Sequence, residues 1–236
     1  MKNTLTMNRG MIGLTAAFVL MAAAASSRAQ IYVANASFEY PDASNAPNVD
    51  YIDDPTLAQQ GGSGWLFFNG GCGVAFNGGF YGYPGPSSGV QNAPDGDQAG
   101  VLQKIAMIQQ SLSGFSPGTY YTLSFYAEGR NFQTGANPLQ VEINNTLLTF
   151  GAYGNTITPP VATNFTYYVS DPFTVNSATN LLSIYGTDSG NAGNLDVTSF
   201  IDDVVVVPEP TSFALVMVGA MAMALLYRRR RHTQSV

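Results

Sequence analysis

The middle of this 236-residue chain predicts an all-β sandwich. Three observations lead there. Short runs of β-branched and aromatic residues recur along it, each closed by a cluster of Gly, Pro, Asn or Ser. No long stretch keeps a helical period. Gly, Asn, Ser, Thr, Tyr, Phe and Val dominate, and charged residues make up only 10% of the whole chain.

The elements follow in chain order. Lys2 and Arg9 precede an apolar stretch, Met11 to Ala25, and Ser27-Arg28-Ala29 puts small residues at the two positions a signal peptidase reads. Residues 1–29 therefore read as a helical secretory signal peptide, with Gln30 the first mature residue. The alternative is an uncleaved N-terminal anchor. Strands are expected at Ile31–Val33, Trp65–Phe68, Val101–Ile108, Tyr120–Tyr126, Leu139–Ile143, Leu147–Phe150, Phe165–Val169, Leu181–Tyr185 and Phe200–Val207. Turn clusters such as Ser116-Pro117-Gly118, Asn144-Asn145 and Thr158-Pro159-Pro160 separate them. Side chains alternate along a strand, so Leu123, Phe125 and Ala127 are expected on one face and Thr122, Ser124 and Tyr126 on the other. Val101–Gln110 also fits helical spacing in part, through Leu102, Ile105, Met107 and Ile108; it is read as strand. Asp42–Gly64 and Asn77–Gln98 read as long surface loops.

The tail has three parts in order. Pro208-Glu209-Pro210 breaks the last strand, because proline lacks an amide donor and fixes φ. An uncharged run from Phe213 to Tyr227 suits a lipid-embedded helix, and Arg228, Arg229, Arg230 and Arg231 hold its end on the cytoplasmic side. The run is 15 residues, shorter than the roughly 20 of a full span. A plain single-pass anchor with snorkelling arginines is the alternative. The order of proline break, apolar helix and basic cluster resembles a PEP-CTERM sorting signal. That resemblance implies export, transient retention in the inner membrane through the transmembrane helix, and cutting near the proline motif by an exosortase-type transpeptidase. The expected destination is the cell-envelope surface or extracellular matrix. The expected organisation is signal peptide 1–29, extracellular sandwich 30–207 and sorting segment 208–236.

Charge and composition exclude several functions. Residues 30–207 hold two basic residues, Lys104 and Arg130, against 14 acidic ones. Such a surface repels nucleic acid, which needs cations to displace its counterions. Cys72 is the only cysteine, so no internal disulfide forms; it reads as a small buried apolar side chain. The single histidine, His232, lies in the basic tail, so neither a Ser-His-Asp nor a Cys-His site forms in the domain. A glycoside hydrolase built on Glu128 and Glu142 is the remaining enzymatic reading, and a non-catalytic role is expected instead.

Several phrases of the middle resemble the galactose-binding-like jelly rolls, the fold of many carbohydrate-binding modules. They are Asn35-Ala36-Ser37-Phe38-Glu39, Gly64-Trp65, Asp95-Gly96 with Val101-Leu102, Phe115 to Phe125, and Ile201-Asp202-Asp203-Val204. The resemblance implies a jelly-roll sandwich whose first and last strands lie together. It also implies a structural Ca2+ held by Glu39 and Asp202, with Asp203 as the alternate ligand. Calcium takes 6 to 8 oxygen ligands, so paired carboxylates suit it. The bland alternative has Glu39 capping a turn and Asp202 solvated. The oxygen-rich stretch of Asp188, Asn191, Asn194 and Asp196 lacks EF-hand spacing and reads as a polar loop.

Extracellular polysaccharide is the expected partner. Sugar rings stack on aromatic faces and hydrogen-bond to amides and charged groups. Phe80, Tyr81 and Tyr83 in the glycine-rich loop, with Arg130 and Asn131 after a core strand, are the candidate contacts. Simple packing of the loop tyrosines on the sandwich competes with that role, and Trp65 reads as core. A structural surface-coat or matrix protein that binds no small ligand is the competing function.

Overall fold

Alternating apolar residues define the strands that form, and the alternation fixes which faces meet. The computed structural model describes residues 30–44, 51–53, 62–78, 84, 91–131, 135–161, 164–188, 197–209 and 219. The expected signal-peptide helix and the apolar helix with its arginines lie outside the described residues. Gln30–Pro208 forms a unit by itself.

Among the described residues, twelve strands build two antiparallel sheets. They are β1 (Tyr51–Asp53), β2 (Leu66–Phe68), β3 (Cys72–Phe76), β4 (Gln98–Gln103), β5 (Met107–Ser113), β6 (Tyr120–Gly129), β7 (Leu139–Ile143), β8 (Thr146–Leu147), β9 (Thr166–Val169), β10 (Phe173–Thr174), β11 (Thr179–Gly186) and β12 (Thr198–Pro208). The larger sheet runs β1-β3-β4-β12-β6-β10, with β9 also paired to β6; the smaller runs β2-β5-β11-β7-β8. β4, β5, β6 and β7 fall alternately in the two sheets. Each of those connections therefore crosses between layers, the winding of a jelly roll.

The core lies between the sheets. Leu102, Leu123, Phe125, Ala127, Ile201, Val204 and Val206 face it from the larger sheet, and Ile108, Leu112, Leu139, Val141, Leu182 and Ile184 from the smaller. The expected alternation in β6 holds, since Leu123, Phe125 and Ala127 are fully buried in this core. Trp65 and Cys72 are buried there too. A second, smaller cluster covers the outer face of the larger sheet and joins Ala75, Ala93, Ala99, Val101, Phe165 and Phe200.

Four expected elements differ, the first being the loop expected at Asp42–Gly64, within which Tyr51–Asp53 pairs with β3 as β1. Val101–Ile108 is not one strand: β4 ends at Gln103, Lys104 adopts φ +54°, and the amide of Ala106 donates to the Gln103 carbonyl at 3.0 Å. The chain changes sheet at this turn, so Leu102 and Ile108 reach the same core from opposite layers. Their helix-like spacing is the phase shift of that turn. Ile31–Val33 contributes a single bridge, with the Ile31 amide donating to Val206 at 3.0 Å. That bridge still brings the two ends of the domain together. Of Leu147–Phe150 only the first residue is strand; Gly151–Tyr153 then forms a 3-10 turn that follows buried Leu148 and Phe150.

Candidate functional site

The acidic junction is built by an irregularity in the last strand. In β12, Phe200 faces outward and Ile201 inward, and the pairing with β6 shifts register between Asp202 and Val205. Asp203 takes φ +49° as the extra residue of this bulge. The bulge keeps Asp202 on the outer side with no exposed surface and leaves Asp203 partly exposed.

Glu39 is placed by the loop before it. The Asn35 side chain accepts from the Tyr40 amide at 3.0 Å and donates to the Tyr40 carbonyl at 2.7 Å, closing that loop. Phe38 (φ +58°) stacks on Trp65 with ring centroids 5.3 Å apart. The Trp65 indole donates to the Asn35 carbonyl at 3.0 Å. Buried Gln98 donates to the carbonyls of Phe38 at 2.8 Å and Pro41 at 3.1 Å. These contacts hold Glu39 against the turn at 95–98.

Both carboxylates grip that turn. Glu39 Oε1 accepts from the amides of Asp97 at 2.9 Å and Gln98 at 3.0 Å. Asp202 Oδ2 accepts from the Asp95 amide at 2.8 Å, and Oδ1 from its neighbour Asp203 at 2.7 Å. Gly96 (φ +77°) completes the fit, because a Cβ there would fall on the Glu39 carboxylate. Burial pushes the Asp202 carboxyl up to about 8; the charges of Asp95 and Asp203 add to this, and the two amides oppose it. Glu39 and Asp203 are raised as well, burial again the larger cause. In kind, these hard oxygen donors suit calcium. Side chains alone do not form a cage, since among the described residues no three His, Cys, Asp or Glu groups converge to hold a metal.

The other candidate residues separate. Arg130 is buried, its amide donating to the Thr198 carbonyl at 3.0 Å, while Asn131 is exposed. Phe80, Tyr81, Tyr83 and Pro210 lie outside the described residues. Pro208 ends β12 and Glu209 follows it. Glu128 lies on the outer side of the larger sheet, in register with Phe200 of the second cluster. Glu142 lies on the outer side of the smaller, flanked by inward Val141 and Ile143. Sheets pack about 10 Å apart, and both glutamates point away from the interior. They therefore do not flank one glycosidic bond, which needs carboxyls roughly 5–9.5 Å apart.

A shallow, open groove of about 470 Å³ lies on the outer face of the smaller sheet. Its floor is a polar network carried by β7 and β11. The Tyr185 hydroxyl lies 2.8 Å from Glu142 Oε1 and 3.0 Å from Gln140 Oε1, and the Gln140 amide donates to Thr156 Oγ1 at 2.9 Å. Asn69, Ile105, Met107 and Thr187 wall it. Sequence reading missed this groove because its residues come from four separated segments. The signal available was the polar alternation of Gln140 and Glu142 within an apolar strand.

The geometry defines the class first: a two-sheet antiparallel β-sandwich with an acid-stapled turn on one outer face and a polar groove on the other. Residues 206–231 match the PEP-CTERM protein-sorting motif. This marks an exported protein sorted by an exosortase to the cell surface. No curated protein matches the chain. Among solved structures, the chain is similar to a cyclase from Fischerella sp. TAU, at 17% identity and TM-score 0.49, covering 77% of this chain and 98% of that one. It is similar to the CBM22-1 xylan-binding domain of Paenibacillus barcinonensis Xyn10C, at 13% identity and TM-score 0.36, covering 62% and 86%. It is also similar to TmCBM61, solved with beta-1,4-galactotriose, at 13% identity and TM-score 0.39, covering 77% and 100%. These overlays are loose, and the sandwich stands on its own strand pairing.

Proposed function

We propose that the mature protein is a non-catalytic component of the cell surface or matrix, which binds or embeds in extracellular polysaccharide after exosortase processing. The observation that carries this reading is the sorting motif beginning at the end of β12. The domain ahead of it is acidic and offers an open polar sheet face. In this reading residues 1–29 are removed on export, and the helix at 213–227 holds the precursor in the inner membrane until it is cut. Binding of the full chain on a glycan array tests it: retention on at least one polysaccharide is expected, and self-assembly without any glycan binding would favour a coat protein instead.

Ca2+ is proposed as a structural ion at the acidic junction, with Glu39 and Asp202 as its side-chain ligands. Burial of both carboxylates supports this, together with the like charges of Asp97 and Asp95 on Glu39 and of Asp95 and Asp203 on Asp202, since a hard cation relieves desolvation and repulsion. An ion bound only by the folded state raises its stability. Melting in millimolar calcium is therefore expected several degrees above melting in chelator, and coincident curves would remove the ion.

A further inference from the structure

We infer that the groove on the smaller sheet is the glycan-binding site and that it selects uncharged, hydroxyl-rich chains over acidic ones. This rests on the polysaccharide reading above and adds its place and its chemistry. The groove brings together a carboxylate (Glu142), an amide (Gln140), a phenol (Tyr185) and a hydroxyl (Thr187) beside the apolar side chains of Ile105 and Met107. Few convergent polar groups on a partly apolar concave wall are the makings of a ligand site.

The wall supplies both surfaces a pyranose presents. Ile105 is 51% exposed, although it is a large apolar residue, and it sits at the turn that carries the chain between sheets. With half-buried Met107 it offers an apolar flank to the C–H side of a ring. The polar floor is set for hydroxyl groups. Tyr185, protonated at neutral pH like any tyrosine, is pushed up further to about 12, by burial first and then by its hydrogen bond and proximity to Glu142. Its single proton serves one of its two acceptor neighbours, leaving acceptor capacity on Glu142 and Gln140 for sugar hydroxyls. Beside this network, Gln109 donates to Ser183 Oγ at 2.8 Å and continues the polar strip across β5 and β11.

Selectivity follows from charge. The lining residues include one carboxylate and neither lysine nor arginine. A uronate or sulfate placed beside Glu142 meets a like charge, with no lysine or arginine in the lining and Lys104 the neighbouring cation at the turn before Ile105, whereas a neutral hydroxyl donates to Glu142. Discrimination by an unfavourable contact is the general way such sites reject a close analogue.

The test is affinity electrophoresis of the full chain in detergent through gels containing neutral polysaccharides (galactan, xylan, dextran) or acidic ones (alginate, polygalacturonate). Wild-type protein is expected to be retarded by at least one neutral polymer and by neither acidic one. Tyr185→Phe keeps the ring and removes the donor; Glu142→Gln keeps the shape and removes the charge. Glu142→Gln is expected to weaken neutral binding about tenfold, the loss of one hydrogen bond to a charged group, and Tyr185→Phe to weaken it by less, through release of the carboxylate and amide that its hydroxyl positions. Unchanged melting temperatures would show that both variants fold; Thr187→Ala, at the groove rim, serves as a further variant if either does not. Neutral binding unaffected by these substitutions, or a preference for acidic polymers, would overturn the assignment while leaving polysaccharide binding intact. No retardation by any polymer would overturn both.

Discussion

At Asp202 the chain sets a carboxyl with no exposed surface between two backbone amides, beside the acidic side chains of Asp95 and Asp203. Burial outweighs the amides, so the folded state holds this proton up to about pH 8, well above the unfolded value near 3.8. The sign of the linkage follows. The stabilisation is fully present below the unfolded value and is lost as pH rises through the folded one. In chelator, the wild-type melting temperature is expected to fall more steeply between pH 4.5 and 8 than that of Asp202→Asn, which has no proton to lose. Equal slopes would show that Asp202 does not titrate in this window. The site was half legible at this scale. The resemblance to galactose-binding-like domains placed Glu39 and Asp202 on one junction, and the structure has both gripping the turn at 95–98. Which of Asp202 and Asp203 is buried was set by the bulge, a one-residue register slip that composition does not display.

The elements were legible where one face is polar and one apolar. β7 alternates because it packs inward on the core and outward toward solvent, whereas β6 is buried on both faces and was legible because its outward residues, Thr122, Ser124, Tyr126 and Glu128, are polar. β3 escaped notice for the opposite reason. Cys72 and Val74 face the main core while Ala75 faces the second cluster, so small residues on both sides erase the alternation. β1 and β10 are three and two residues long, too short for a periodic signal. The turn at 95–98 is the element on which the junction depends, and Gly96 is its most constrained point. Gly96→Ala requires a left-handed alanine whose Cβ meets Glu39. It is expected to cost about 1–3 kcal/mol, read as a lowered denaturation midpoint, and to abolish any calcium-dependent rise in melting temperature. A calcium response that survives the substitution would separate the ion from this turn.

For the whole molecule, the proposed division is between addresses and cargo. Seven of the nine basic residues lie in residues 1–29 and 228–231, so the segment between them is far more acidic than the net charge of −6 suggests. The ends of the sandwich meet where Ile31 bridges Val206, so the two proposed processing points fall close to one another: Gln30 precedes the first paired residue, and Pro208 closes β12. Removal of residues 1–29 and of those beyond Pro208, as proposed, would leave every strand of the two sheets whole. The most direct measurement is the intact mass of the protein recovered from the cell surface. It is expected to correspond to a chain that begins at Gln30 and ends within Pro208–Pro210, with any mass added by its new attachment. A full-length species recovered from the cytosol, still carrying residues 1–29 and the four terminal arginines, would contradict the account.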